Sequence, residues 1–171
     1  MALSQAGDVI DGTAMITQKT RYALRSLLYL VEVGRGEAVQ IQHIAETQRI
    51  PRKYLELIML DLKKAGIVSS TRGPKGGYRL TRSPEDISFG EVVRSIEGPI
   101  ALISCASANF YAPCGDCQDE ISCAIRRAFI TVRERTTDVL NGISLAQGAR
   151  WELRTTTDAE PEWESIANWQ I

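Results

Sequence analysis

The order of elements between positions 39 and 80 constrains this chain more than any other feature. Residues 39–47 read as a short helix with Ile41, Ile44 and Ala45 on its apolar face, followed by a turn at Gln48, Arg49 and Ile50. Pro51 then opens a second helix, at a position where its missing N–H has no partner to lose. In that helix Tyr54, Leu55, Ile58, Leu62 and Ala65 form the apolar stripe, and Arg52, Lys53, Glu56, Lys63 and Lys64 are left for solvent until Gly66 ends it. Behind it come Ile67, Val68 and Ser69, the turn-rich run from Arg72 to Gly77, and Tyr78, Arg79 and Leu80, which read as two short strands about a glycine turn. Helix, turn, helix and hairpin in that order predict a winged helix-turn-helix, in a chain that is mainly α with a small β-hairpin wing.

Charge says what such a unit faces. The net charge of −1 excludes little, but the charges are segregated. Residues 15–87 carry 13 Lys or Arg against 7 Asp or Glu, whereas residues 88–171 carry 7 against 12. Between positions 49 and 82 stand nine basic residues with only Glu56 and Asp61 as acids. A recognition helix needs long polar side chains for base edges in the major groove and flanking cations for phosphates. Arg52, Lys53 and Glu56 occupy the first turns of the exposed face, and Leu57 beside them can touch a thymine methyl. Arg72 and Lys75 on the wing can reach the backbone or the minor groove, where Gly73, Gly76 and Gly77 let main chain approach closely. The competing reading is a solvated basic face on a small α+β module. A phosphate loop is disfavoured, because the glycine run lacks the Walker spacing and follows no parallel-sheet pattern.

The rest of the chain divides around this unit. Residues 1–14 are small and polar and read as a leader; residues 15–98 make the DNA-binding domain, starting with a helix near Thr17 whose Tyr22, Ala23, Leu27, Leu30 and Val31 face inward. Ser88 and Glu91 have capping-box spacing and open a helix that ends at Gly98 and Pro99. Residues 99–123 read as a loop. From Ala124 the residues Ile125, Ala128, Phe129, Val132, Val139, Leu140 and Ile143 keep a helical period to about Leu145, so residues 124–148 are expected to form one long dimerisation helix. The N-terminal module is too short to cover that stripe, and a reader of palindromic double-stranded DNA needs a two-fold partner, so a homodimer is expected. Residues 149–171 form an acidic tail with all three tryptophans. No run approaches the ~18 apolar residues of a membrane helix and the N-terminus lacks a secretory layout, so the expectation is a cytoplasmic protein with no membrane partner.

All four cysteines, Cys105, Cys114, Cys117 and Cys123, lie within 19 residues of that loop, at intervals of eight, two and five residues. In a reducing compartment such a cluster reads as a metal site, and soft thiolates select iron-sulfur clusters or zinc. Zinc more often takes two close cysteine pairs, and only Cys114 and Cys117 make one here. Unligated thiols are a third possibility, and a reversible Cys114–Cys117 disulfide a fourth, although no thioredoxin-like pattern surrounds it. The single histidine, His43, sits in the first helix of the helix-turn-helix, and nothing pairs it with a nucleophile, so an enzyme is not expected.

From Met15 to about Leu145 the chain resembles the Rrf2 class of bacterial transcription regulators, with its IscR, NsrR and RirA branches. The marks are the run from Thr20 to Leu24, the run Tyr54, Leu55 and Glu56, and Val68, Ser69 and Ser70 leading into the segment from Arg72 to Tyr78, together with the cysteine loop and the following helix. The resemblance implies a homodimeric winged-helix protein in which a cysteine-ligated iron-sulfur cluster biases the DNA-binding heads. It places Lys53, Glu56 and Leu57 where the recognition helix meets bases, and Arg72, Gly73 and Pro74 at the wing. The family pattern has three cysteines with five to eight residues in the first interval and five in the second. Cys117 and Cys123 match the second interval, and Cys105 then lies too far back. The IscR branch adds a histidine where this chain has Arg126, and the NsrR branch an aspartate where it has Tyr22. Either all four cysteines take part, or Cys105, Cys117 and Cys123 bind with Cys114 as fourth or substitute ligand, in a two-iron or four-iron cluster. The expectation is a DNA-binding regulator, a repressor, that senses cluster status, iron, nitric oxide or oxidative stress. The alternatives are a zinc-stabilised winged-helix regulator and a thiol-disulfide redox protein using Cys114 and Cys117.

Overall fold

The computed structural model describes residues 16–34, 37–73, 75–115, 117 and 119–154. The leader 1–14, Pro74 of the wing and residues 155–171 of the expected tail lie outside the described residues, while residues 149–154 of that tail belong to a helix. Six helices and one hairpin follow in the order α1 (Gln18–Gly34), α2 (Ile41–Gln48), α3 (Arg52–Lys64), β1 (Val68–Thr71), β2 (Gly77–Leu80), α4 (Phe89–Glu97), α5 (Ala124–Gly142) and α6 (Leu145–Arg154). Single 3₁₀ turns lie at Pro84–Asp86 and Ser104–Ala106.

One core unites α1, α2, α3, α4 and α6. Leu27 of α1, Ile44 of α2, Leu55, Ile58, Met59 and Leu62 of α3, Val92 of α4 and Leu145 of α6 are fully buried in it, with Ile67 and Ile87 from the connections. The apolar stripe expected of the second helix is the buried one, with Met59 added to it and with Ala65 exposed. Two polar residues of α1 are fully buried and satisfied: Ser26 donates to the Tyr22 carbonyl at 2.8 Å, and Thr20 donates to Glu97 Oε1 at 2.5 Å.

The joints are built from local chemistry. Between α2 and α3, Arg49 takes a left-handed conformation (φ 52°, ψ 46°), and the Ile50 N–H returns to the Ala45 carbonyl at 2.9 Å. Gly66 (φ 73°) closes α3, with the Ile67 N–H on the Leu62 carbonyl at 3.0 Å, a Schellman arrangement. The strands pair antiparallel with Val68 opposite Leu80 and Thr71 opposite Gly77. Ser88 caps α4 by accepting the Glu91 N–H at 3.1 Å, as its spacing predicts, while the Glu91 carboxylate turns to Arg82 instead of completing the box.

The helix expected to run from Ala124 to about Leu145 is two helices. α5 stops at Gly142 because the next residues extend and pair with the segment ahead of α4: Phe89 N–H donates to the Ile143 carbonyl at 2.8 Å, and Leu145 N–H to the Ile87 carbonyl at 2.9 Å. Ser144 then caps α6 by accepting the Gln147 N–H at 3.2 Å. Leu145 therefore belongs to the core of the head and not to the stripe of α5. Gly148 of α6 lies flat on Phe89, where a Cβ would stand 2.7 Å from the ring.

Candidate nucleic-acid interface and cysteine site

The exposed face of α3 carries Arg52, Lys53, Glu56 and Leu57, the last 57% exposed despite being apolar. Leu60 shares that exposure at 48%. Arg52 is not a bare cation: its Nε donates to Glu56 Oε1 at 3.1 Å, one helical turn on. Lys63 leans off the helix to donate to Ser70 Oγ of β1 at 2.7 Å, which ties recognition helix to wing. Lys64 pairs with Asp61 at 3.7 Å, and Arg82 with Glu91. Asp61 also takes Lys19 at 2.7 Å, and the hydrogen bond from that ammonium holds its carboxyl below the usual carboxylate range. Among the described residues Arg49, Lys53, Arg72 and Lys75 stand exposed on the helix-turn-helix and wing without an ion pair or side-chain hydrogen bond.

A cleft of about 430 Å³ opens between the start of α2, the first turn of α3 and the wing. Arg52, Arg72 and Gly73 line it together, along with Gln40, Gln42 and Tyr78. Lys53, Glu56, Leu57 and Lys75 lie outside that lining. The wing is held against the head by Val39, which bridges to Tyr78 of β2, and the wing turn closes through the Gly76 N–H on the Gly73 carbonyl at 2.8 Å. Sequence reasoning did not single out Gln40, Gln42 or Thr71 of this cleft, and marked Ser70 only as part of the family resemblance; no periodicity marks residues gathered from a helix start and a strand.

Arg25 of α1 braces the same unit. Its guanidinium donates to the Gln48 carbonyl at the end of α2 and lies 6.0 Å from the Tyr22 ring centroid; that ring in turn meets Tyr54 of α3 edge-on at 5.9 Å.

The cysteine loop runs between α4 and α5. Cys105, 4% exposed, sits in the 3₁₀ turn and its sulfur is 3.6 Å from that of Cys114. Cys114 leads into a turn closed by the Cys117 N–H on its carbonyl at 3.3 Å. Cys123 caps α5, its Sγ accepting the Arg126 N–H at 3.4 Å, so it lies at the positive end of the helix. Arg126 joins these parts: its Nε donates to the Cys105 carbonyl at 2.9 Å and its guanidinium lies 5.9 Å from the Tyr111 ring. Tyr111 is bound to Glu120, and that hydrogen bond pushes its hydroxyl up to about 12. Arg133 of α5 holds the Ala106 carbonyl at 2.5 Å. The Ser122 side chain and then the N–H groups of Ile121 and Ser122 hold the Asp119 carboxyl below its ordinary range, and the two N–H bonds shape the turn into α5.

Four soft thiols in one loop suit an iron-sulfur cluster or zinc in donor type, and the Cys105–Cys114 spacing suits one metal, since two thiolates on a tetrahedral ion with bonds of about 2.3 Å stand about 3.8 Å apart. Among the described residues no three His, Cys, Asp or Glu side chains are gathered at metal-binding range. The structure brings the Cys105 and Cys114 sulfurs into contact, places Cys117 in the turn that follows Cys114, and sets Cys123 at the start of α5. His43 is elsewhere, beside the Tyr29 ring at 5.9 Å. No described helix is long and apolar enough to cross a membrane.

Residues 16–150 match the Rrf2 family, described as "Iron-dependent Transcriptional regulator". The chain is 49% identical over 121 residues to an rrf2-like HTH-type transcriptional regulator of Rhodobacter capsulatus, covering 69% of this chain and 81% of that protein. It is 34% identical over 132 residues to the HTH-type transcriptional regulator IscR of Vibrio vulnificus, covering 77% and 75%. Among solved structures, CymR, the global cysteine regulator of B. subtilis, superposes with a TM-score of 0.66 at 31% identity, over 80% of this chain and 96% of that one.

Proposed function

Because the chain belongs to the Rrf2 family of winged-helix transcriptional regulators, we propose that it is a homodimeric DNA-binding repressor acting in the cytoplasm. Its cysteine loop would hold an iron-sulfur cluster that reports iron supply, nitric oxide or oxidative stress. DNA contact falls to the exposed side chains of α3 and the wing: Arg52, Glu56 and Leu57 toward base edges, and Arg72 and Lys53 toward phosphates, with Gly73, Pro74 and Lys75 bringing the wing against the backbone. The resemblance sets Lys53 among the base-facing residues; it is assigned to phosphate instead because no ion pair among the described residues engages it. The Arg52–Glu56 pair fixes both side chains in one orientation, which suits reading of a defined base pattern more than general attraction to phosphate.

The observation that carries the sensing half is the position of the thiols relative to α5. Cys105 is tied through its carbonyl to Arg126 in the first turn of α5, Cys123 caps that helix, and Cys114 touches Cys105. Cys105, Cys114, Cys117 and Cys123 would hold the group, which supplies an iron-dependent, oxidant-labile crosslink when bound. Gathering the loop onto Cys123 would fix the start of α5 relative to α4. Because α5 carries exposed Ile125, Val132 and Val139, the expected seam between two copies, its angle sets the spacing of two heads on half-sites about one helical turn apart.

The test is an anaerobic purification with a visible absorption spectrum and iron, sulfide and zinc analysis on one sample. Brown protein with iron and sulfide in matching amounts is the expected outcome. Colourless protein holding zinc would convert the site to a structural one, and protein that takes up neither iron nor sulfide would remove the sensor and leave the DNA-binding head.

A further inference from the structure

We propose that Cys105 and Cys114 form a redox-active dithiol that closes to an intramolecular disulfide, and that this pair, in place of Cys114 with Cys117, is the chain's site of thiol oxidation. The two sulfurs are already in contact at 3.6 Å. A disulfide is about 2.05 Å long, so closure asks for a movement of roughly 1.6 Å, within what rotation of one side chain supplies.

The two cysteines differ in a way that assigns their roles. Cys105 is buried and fixed, with its carbonyl on Arg126 and the carbonyl of the next residue, Ala106, on Arg133. Cys114 is exposed, on a stretch of loop between residues 111 and 115 that belongs to no helix or strand. A hydroperoxide from solvent reaches the exposed sulfur first, and the buried one resolves the product. In the first step hydrogen peroxide oxidises the Cys114 thiol to a sulfenic acid: the O–O bond breaks, an S–O bond forms and one water leaves. In the second the Cys105 sulfur attacks Cys114 Sγ: the S–S bond forms, the S–O bond breaks, and the hydroxyl departs as water with the proton of Cys105. Two thiols have lost two electrons and one peroxide has become two waters.

Spacing alone favours the shorter Cys114–Cys117 interval, whereas the sulfur in contact with Cys114 is that of Cys105. Eight residues separate Cys105 from Cys114 in sequence, yet the loop folds back so that Cys114 faces the anchored Cys105. The inference needs only this contact; it holds for the chain whether or not the same thiols bind a cluster under other conditions.

The experiment treats the full chain, stripped of metal by a chelator and checked for fold by circular dichroism, with one equivalent of hydrogen peroxide. Thiol counting and peptide mapping without reduction follow. Cleavage after Phe110 or Tyr111 separates Cys105 from Cys114, and cleavage at Asp116 separates Cys114 from Cys117, so each pairing has its own mass signature. The expected result is loss of two of the four thiols, a linked Cys105–Cys114 peptide and full reversal by dithiothreitol. In the metal-free protein Cys117→Ser, which has three thiols, should still lose two of them to the same Cys105–Cys114 link, while Cys105→Ser should halt at a Cys114 sulfenic acid that dimedone traps. A Cys114–Cys117 link, a link between two chains, or four thiols surviving excess peroxide would each overturn the proposal. None of these results depends on iron or sulfide content, so failure here and failure of the cluster reading are separate outcomes.

Discussion

Val39 and Tyr78 exchange both main-chain hydrogen bonds, Val39 N–H to the Tyr78 carbonyl at 2.9 Å and Tyr78 N–H to the Val39 carbonyl at 2.8 Å. The approach to α2 thereby becomes a third, one-residue strand on the wing, and main-chain bonds tie the wing to the helix-turn-helix. The neighbour that permits this is Gly77, where a Cβ would stand 2.4 Å from the Val39 backbone.

Gly77→Ala should therefore break the bridge. The clash is with main chain and cannot be relieved by a rotamer change, so a loss of stability of about 1–3 kcal/mol is expected in urea titration. Operator affinity should fall by at least roughly tenfold, because wing and α3 no longer meet DNA together. An unchanged unfolding midpoint with unchanged affinity would show that the bridge does not couple them.

Lys53 stands without an ion pair among the described residues of α3, whereas Arg52 is engaged by Glu56. Lys53→Ala should lower affinity for specific and nonspecific DNA alike and reduce the slope of log K against log salt by about 0.9. Leu57→Ala should leave that slope alone and cost affinity for one base pattern only. Fluorescence anisotropy at several salt concentrations separates the two, and an identical slope in Lys53→Ala would remove it from the phosphate contacts.

Ile125, Val132 and Val139 are spaced by seven residues, two helical turns, and are 65%, 44% and 62% exposed. α5 has no buried residue of its own, so a single chain leaves this seam in water. Val132→Glu combined with Val139→Glu should yield a folded monomer by sedimentation, with operator binding weakened to that of one head. A dimer that persists in this variant would place the interface elsewhere.

Glu97 at the end of α4 accepts from the Thr17 N–H at 2.8 Å, the Thr17 hydroxyl at 2.6 Å and the Thr20 hydroxyl at 2.5 Å, at the entry to α1. Burial raises its carboxyl, but the Thr17 and Thr20 hydroxyls and the Thr17 N–H outweigh that and hold it below its ordinary 4.5. A carboxyl lowered by folding stabilises the native state above the unfolded value, and that contribution disappears as pH falls through the folded one. Glu97→Gln should thus cost about 1 kcal/mol at neutral pH, discounted for partial exposure to water, and should flatten the stability profile below about pH 4.5. A parallel offset from the natural chain at every pH would mean that the charge is not what matters.

Cys114→Ala tests the cluster reading against a three-cysteine site. Iron and sulfide occupancy after anaerobic purification should fall well below that of the natural chain, because the sulfur in contact with Cys105 is gone. Full occupancy would remove Cys114 from the ligand set.

Much of the head was legible before any coordinates. The stripe of Leu55, Ile58 and Leu62, the Gly66 stop, the wing strands and the Ser88 cap rest on local periodicity and capping, which a short window of residues expresses. The end of α5 was not legible in the same way. Ile143 and Leu145 continue a helical period, and only the pairing of that segment with residues 87–89 extends it. A local signal was present there nonetheless: Ser144 with Gln147 has the same capping spacing as Ser88 with Glu91.

The sequence by itself determined the element types, the basic face and the gathering of four thiols in one loop, because these follow from interactions within a few residues. The tertiary structure alone decided which thiols meet, which cations are already engaged, and that Leu145 leaves the α5 stripe for the core. Each of those depends on contacts between residues far apart in the chain: Arg126 on the Cys105 carbonyl, Lys63 on Ser70, and Leu145 N–H on the Ile87 carbonyl. Periodicity carries no record of such partners, since they are chosen by packing the apolar faces of separate helices into one core.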